Sequence, residues 1–225
     1  MATSKARVLL VSLNRGQFFD EVYEPICGAL MSKATLERVE EANTAIRKLS
    51  DDPPPSAVLI ADAALTLRQY TDVWDATLRY IHYGGTAVVM GNFPSFVRPD
   101  IMKSFFARAG LSWEAGSYHR TTLILNRDAA GFNSATALSP RFSQKALFVR
   151  NVANSEAWYK TDECSIVESL VFAPTSTNTV GETAVALARV GDGNLGYVGD
   201  VNIEEGSVAV ILAMCGLGNV KAGEI

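Results

Sequence analysis

Arg7-Val-Leu-Leu-Val-Ser-Leu13 is a nearly continuous apolar run, the pattern of a strand covered on both faces. Asn14-Arg15-Gly16 then turns the chain into a stretch with apolar residues at Phe18, Val22, Ile26 and Leu30, beside a second stripe at Phe19, Tyr23, Cys27 and Met31. Two adjacent stripes at that spacing predict a core-facing helix, which Pro25 should kink or divide. The same rhythm recurs downstream. A strand is expected over 34–39 and a short helix through Val39, Ala42, Ile46 and Leu49. Asp51-Asp52-Pro53-Pro54-Pro55 breaks the chain and feeds a strand at Ala57-Val-Leu-Ile-Ala61. Leu67, Tyr70, Val73, Trp74, Thr77, Leu78 and Ile81 mark a long helix stopped by Gly84-Gly85. Thr86-Ala-Val-Val-Met-Gly91 reads as another buried strand, and Pro99-Asp100 opens a helix carrying Ile101, Met102, Phe105 and Phe106. Strand–helix alternation of this kind predicts an α/β fold with a mostly parallel central sheet flanked by helices.

After Gly110 the rhythm changes. Strands without long helices between them are expected at Thr121–Asn126, Lys145–Val152, Glu168–Phe172 and Ala184–Val190. Asp192-Gly193 signals a hairpin into Leu195-Gly-Tyr-Val-Gly199. Ser207-Val-Ala-Val-Ile-Leu-Ala-Met-Cys215 is apolar all round, so it reads as a buried helix with Ser207 as its N-cap. These antiparallel strands extend the sheet of the first half. The economical organisation is one domain over residues 1–225, with a short tail from about 217 to 225.

The bulk properties exclude several classes. The chain has 225 residues, of which 48% are hydrophobic and 20% charged, with a net charge of -4. That composition fits a globular chain and argues against a nucleic-acid partner. No apolar run of about 18 residues occurs, so no membrane association is expected. The apolar start is too short for a signal segment, so the expected location is cytoplasmic. Three scattered cysteines, Cys27, Cys164 and Cys215, make neither a disulfide framework nor a zinc site. Neither phosphate-loop motif is present, and no cofactor or metal is expected.

Four strand–helix units, an antiparallel insertion, the strand Gly193-Asn-Leu-Gly-Tyr-Val-Gly-Asp200 and a terminal buried helix together resemble the class I glutamine amidotransferase-like proteins. The ThuA-like and amidotransferase-like branches are the nearest. The chain is also similar to fungal proteins of unassigned role, some of which carry a lipase label. The resemblance implies a nucleophile elbow after the fourth strand, at Val88-Val-Met-Gly-Asn-Phe-Pro-Ser95. No cysteine stands there and Pro94 removes an N–H donor. Ser95 lacks the flanking glycines of a lipase elbow, and no histidine precedes a glutamate by two residues. Glutaminase and lipase chemistry are therefore not expected. At the turn itself, Asn92 is expected to take the positive φ that Asn tolerates, with Phe93 helping to close the pocket.

Open α/β sheets bind ligands beyond the carboxyl ends of their strands. That rule selects Asn14, Arg15, Asp62, Asn92, Asp200 and Asn202, a set suited to a small polar ligand, sugar-like or a carboxylate. Asn14, Asp62 and Asn92 equally suit helix capping. Asp200, within Gly199-Asp-Val-Asn-Ile-Glu-Glu-Gly-Ser207, suits either a general base or an acidic helix start. His119 is the candidate acid–base histidine, whereas His82 closes a helix. Three functions stay open at this point. One is a ligand-binding protein without amidotransferase activity. Another is a hydrolase using His119 or Asp200 to activate water or Ser95, and the last is a non-catalytic homo-oligomer.

Overall fold

The structure is a computed structural model that describes residues 5–131, 134 and 137–218. The expected tail lies almost wholly outside the described residues. Among the described residues there are ten strands: β1 (Arg7–Val11), β2 (Thr35–Val39), β3 (Ala57–Ile60), β4 (Thr86–Val89), β5 (Glu114–Leu125), β6 (Arg141–Arg150), β7 (Ala157–Lys160), β8 (Glu182–Thr183), β9 (Val185–Val190) and β10 (Gly193–Val198). They form one sheet in the order β2-β1-β3-β4-β10-β9-β7-β5-β6-β8. Neighbours from β2 through β10 are parallel, and every later pair is antiparallel. A parallel half extended by an antiparallel half is the architecture that the change of rhythm at Gly110 predicts.

Alternation along the parallel strands divides the interior into two layers. Leu9, Val11, Val58, Ile60 and Val89 face the layer closed by α2 (Ala42–Leu49), α3 (Thr71–His82) and α5 (Pro99–Ala107). Val8, Leu10, Leu59 and Val88 face the layer closed by α1 (Phe19–Lys33) and the terminal helix Glu205–Met214. Two short helices, α4 (Phe93–Phe96) and α6 (Arg127–Ala130), are also described, and the terminal helix is labelled α7.

Several expectations are corrected. Pro25 does not divide α1, which runs through it without a break. Its ring lies on the exposed side, where the carbonyl it leaves unpaired is open to water. The expected helix from Leu67 begins only at Thr71, because 63–66 and 68–70 are 3₁₀ turns and Leu67 is extended. Residues 168–172 are not a strand. The Ser169 hydroxyl accepts the N–H groups of Val171 and Phe172 at 3.1 and 3.0 Å, and this local turn supplants a ladder. Ser207 is not the N-cap of α7; that place belongs to Glu204, while Ser207 is buried inside the first turn.

The antiparallel half also curls back on the sheet. Just past β10, Gly199 accepts the Leu147 N–H and Val201 donates to the Lys145 carbonyl, both at 3.0 Å, and Asp200 bridges to Ala146. Residues 199–201 therefore occupy the edge of β6 that β8, only two residues long, leaves open. Gly199 is obligatory here, since a Cβ would strike the Leu147 carbonyl.

Candidate functional site

Between β1 and β3 the strand order reverses, because β2 lies on one side of β1 and β3 on the other. The carboxyl ends on either side of such a switch point diverge and leave a crevice. It is present here as a cleft of about 380 Å³ whose lining includes Asn14, Arg15, Asp62, Asn92, Phe96 and Arg98. Four residues selected from the sequence thus converge on one cavity. Phe93, His119, Asp200 and Asn202 do not line it.

Asp62 organises the floor. Its Oδ2 accepts the Ser12 hydroxyl and the Asn14 N–H, each at 2.8 Å, while Oδ1 accepts the Ala64 N–H at 2.9 Å. The carboxylate caps the turn after β3 and ties it to the loop after β1, so its own role is positioning. Arg15 forms ion pairs with Asp20 and, at 3.1 Å, with Glu40, and Arg98 is held in a fork by Asp100. Both guanidiniums lie at the rim. By contrast, among the described residues the side-chain amides of Asn14 and Asn92 have no hydrogen-bond partner. Leu67 and Phe96, 43% and 72% exposed, add apolar surface to the mouth. The sequence reading missed Arg98, Thr66, Leu67, Phe96 and Ile101. Arg98 directly before Pro99 was the one legible signal, as a charged residue at a helix entrance.

The elbow differs from expectation in a way that bears on chemistry. The positive φ falls on Gly91 at 66°, whereas Asn92 is right-handed at −76° and starts α4. A side chain at 91 has no room, because its Cβ would lie 2.6 Å from Tyr23 Cζ and closer still to the hydroxyl. The Tyr23 hydroxyl donates to the Ala61 carbonyl and accepts the Asn92 N–H at 2.7 Å. A phenol therefore fills the space beside Gly91, and the Asn92 N–H is already engaged. Burial pushes the Tyr23 pKa up, against the pull of the Asn92 N–H, so the phenol stays neutral. Phe93 does not close the cleft. It is fully buried among Phe105, Phe106 and Tyr197, because the right-handed start of α4 turns it into the core.

His119 and Asp200 flank Ala146 from its two sides, yet among the described residues no hydrogen bond joins either of them to the other or to Ser95. His119 lies on β5, stacked on Phe148 with centroids 4.6 Å apart, and its Nε2 is 2.7 Å from Thr177 Oγ1. Burial lowers its pKa, against a smaller raising effect of Glu182. Ser95 is exposed on α4. Asp200 is 1% exposed and accepts the Ser207 hydroxyl at 2.5 Å and the N–H groups of Asn202 and Glu204 at 2.8 and 2.7 Å. Those two amides flank Ile203, which is left-handed at φ 53°, a strained state for a β-branched residue. Asp200 braces that strain and the entrance to α7. Burial raises its pKa, opposed by Ser207 and the two amides. Asn202 is exposed, and its amide donates to Glu204 at 3.1 Å.

With this geometry in view, solved structures supply a comparison. A protein called ThuA-like from Bacteroides uniformis superposes with a TM-score of 0.62 at 9% identity, covering 95% of this chain and 91% of that one. A second ThuA-like protein, from Parabacteroides merdae, gives 0.55 at 11% identity over 99% and 93% of the two chains. The fold resembles the ThuA-like fold. A β-galactosidase from Bacillus circulans matches at 0.59 and 11% identity, with 94% of this chain covering 31% of the enzyme. No family model matches this sequence, and no curated protein matches it. At these identities the likeness concerns architecture alone. Among the described residues, no helix is long and apolar enough to cross a membrane.

Proposed function

We propose that this protein binds a small polar ligand, sugar-like or a carboxylate, in the cleft at the β1/β3 switch point, without amidotransferase chemistry. The observation that carries the reading is the pair of unpartnered amides, Asn14 and Asn92, facing one cavity floor. An amide offers both a donor and an acceptor, which suits hydroxyls and carboxylates alike. Asp62 fixes the Asn14 loop before any ligand arrives, so little ordering is required on binding. Phe96 and Leu67 offer apolar surface to the carbon skeleton, and a few polar groups on a partly apolar wall are the usual composition of such sites. The rim guanidiniums are already neutralised by Asp20, Glu40 and Asp100, so the amides dominate recognition.

Isothermal titration of a panel of monosaccharides and small carboxylates against the wild type, Asn14→Ala and Asn92→Ala tests the proposal. Saturable binding is expected for at least one member, weakened about fivefold or more by each substitution, since losing a hydrogen bond to a bound polar group costs about 1–3 kcal/mol. Binding indifferent to both changes, or none across the panel, overturns it.

A further inference from the structure

The amino-terminal edge of the sheet carries a second recess, of about 560 Å³, remote in the fold from the cleft just described. Its floor is apolar: Leu49 of α2, and Ala76 and the Tyr80 ring of α3, all buried. Tyr80 is fixed there, because its hydroxyl donates to the Pro55 carbonyl at 2.9 Å and accepts the Thr86 N–H at 3.3 Å. Gly85 packs so closely on that ring that any side chain would collide with it. Pro54 and Pro55 form one stiff wall. The lining also includes Arg79 in the last turn of α3 and Tyr83, its C-cap, four residues apart and so on one side of the helix end.

Two facts about this rim point to a ligand. Tyr83 is 89% exposed, a large aromatic left uncovered beside a preformed apolar floor. Arg79 has no ion pair among the described residues. Asp75, its natural partner one turn earlier, is taken by Arg108. Asp51 is taken by Arg7 at 2.7 Å, and Glu37 by Lys48 at 2.8 Å. A cation is thus left over at the mouth of a recess with an apolar floor, in a chain whose net charge is -4.

We propose that this recess binds a planar ring bearing one anionic group, either an aromatic carboxylate or a nucleoside monophosphate. The ring lies between Tyr83 and the proline wall, where offset stacking on an aromatic face contributes beyond area alone. Arg79 pairs with the anion through its planar fork, which matches carboxylate and phosphate geometry equally.

The test titrates 4-hydroxybenzoate and adenosine monophosphate, with 4-hydroxybenzyl alcohol, adenosine and inorganic phosphate as controls. Both Arg79 and Tyr83 are exposed, so their variants should fold. Saturable binding is expected for one of the two ring anions, at least about tenfold tighter than for its neutral counterpart or phosphate, which is about 1.4 kcal/mol. Which of the two binds identifies the source. Arg79→Gln should erase the preference for the anion, Tyr83→Ala should weaken charged and neutral rings alike, and Asn92→Ala at the other cleft should change nothing. The proposal is overturned if neither ring anion saturates by about 10 mM. Binding insensitive to Arg79→Gln and Tyr83→Ala, or lost in Asn92→Ala, overturns it too.

Discussion

Replacing Gly91 by alanine tests the reading of the elbow, because two independent costs fall on one methyl group. Gly91 is left-handed at φ 66°, and a side chain in that region costs about 1–2 kcal/mol. The new Cβ would also lie 2.6 Å from Tyr23 Cζ, where carbon atoms normally keep about 3.5–4.0 Å. The phenol must therefore retreat by about 1 Å. Tyr23 is fully buried and stacked on Phe19 at 4.0 Å, so it has nowhere to go without losing its bonds to Ala61 and Asn92. Each bond is worth about 1 kcal/mol. The total comes to about 3–4 kcal/mol, a large part of the roughly 5–15 kcal/mol by which domains are stable. For a chain of this size that lowers the melting temperature by about 6–16 °C. Urea unfolding of Gly91→Ala, Tyr23→Phe and the double variant is the assay. Tyr23→Phe alone should cost about 1–2 kcal/mol. It should rescue Gly91→Ala only in part, since the ring carbon still blocks the methyl. A loss below about 1 kcal/mol in Gly91→Ala, or full rescue in the double variant, would refute the argument that the phenol fills the space beside Gly91.

Three further outcomes follow from the same geometry. The folded-state pKa of Asp200 is raised, so the stability linked to its protonation is complete below the unfolded value of about 3.9 and is lost as pH rises through the folded value. Asp200→Asn forfeits part of the brace on Ile203 but has no such loss, so its deficit in urea midpoint should narrow as pH climbs from 4 to 8; a widening gap would contradict the assignment. The pKa of His119 is lowered, so its contribution is complete above about 6.5 and is lost as pH falls through the folded value. His119→Phe keeps a ring against Phe148 and should flatten that acid limb of the melting-temperature profile. Asn92→Cys should release no ammonia from glutamine above wild type. Position 92 is not the strained one, its N–H is engaged by Tyr23, and an unactivated thiol is only a few per cent thiolate at neutral pH.

What the sequence makes legible is decided by how local each determinant is. The runs at Arg7, Ala57 and Thr86 announce buried parallel strands by composition alone, and the hairpin after Val190 is marked by its own turn residues. Asn14, Asp62 and Asn92 could be selected because strand ends are local features and the sheet rule then brings them together. Residues 168–172 misled because Leu170, Val171 and Phe172 have strand composition, while the deciding group is the Ser169 hydroxyl. β7 went unread because four residues carry too little pattern. Tyr23 was legible only as a helix stripe. That its hydroxyl reaches the turn after β4, 69 positions away, is a fact of packing. Asp200 was picked for its acidity, yet what it does depends on Ser207 and on the strain at Ile203, and neither is written in spacing.

The pairing of residues 199–201 with β6 has a consequence for how this chain is made. Ribosomes deliver β5 and β6 long before the segment that covers them, at about 5–20 residues per second. Until Gly199 to Val201 emerge, the backbone of Lys145 and Leu147 presents unpaired donors and acceptors along an open strand, a template for other chains. The same contacts join positions more than fifty apart and await the insertion of β10 between β4 and β9, and pairings so distant in sequence form late. The interval between synthesis of β6 and arrival of β10 therefore leaves this stretch of β6 open to misassembly, and the pairing of residues 199–201 closes it.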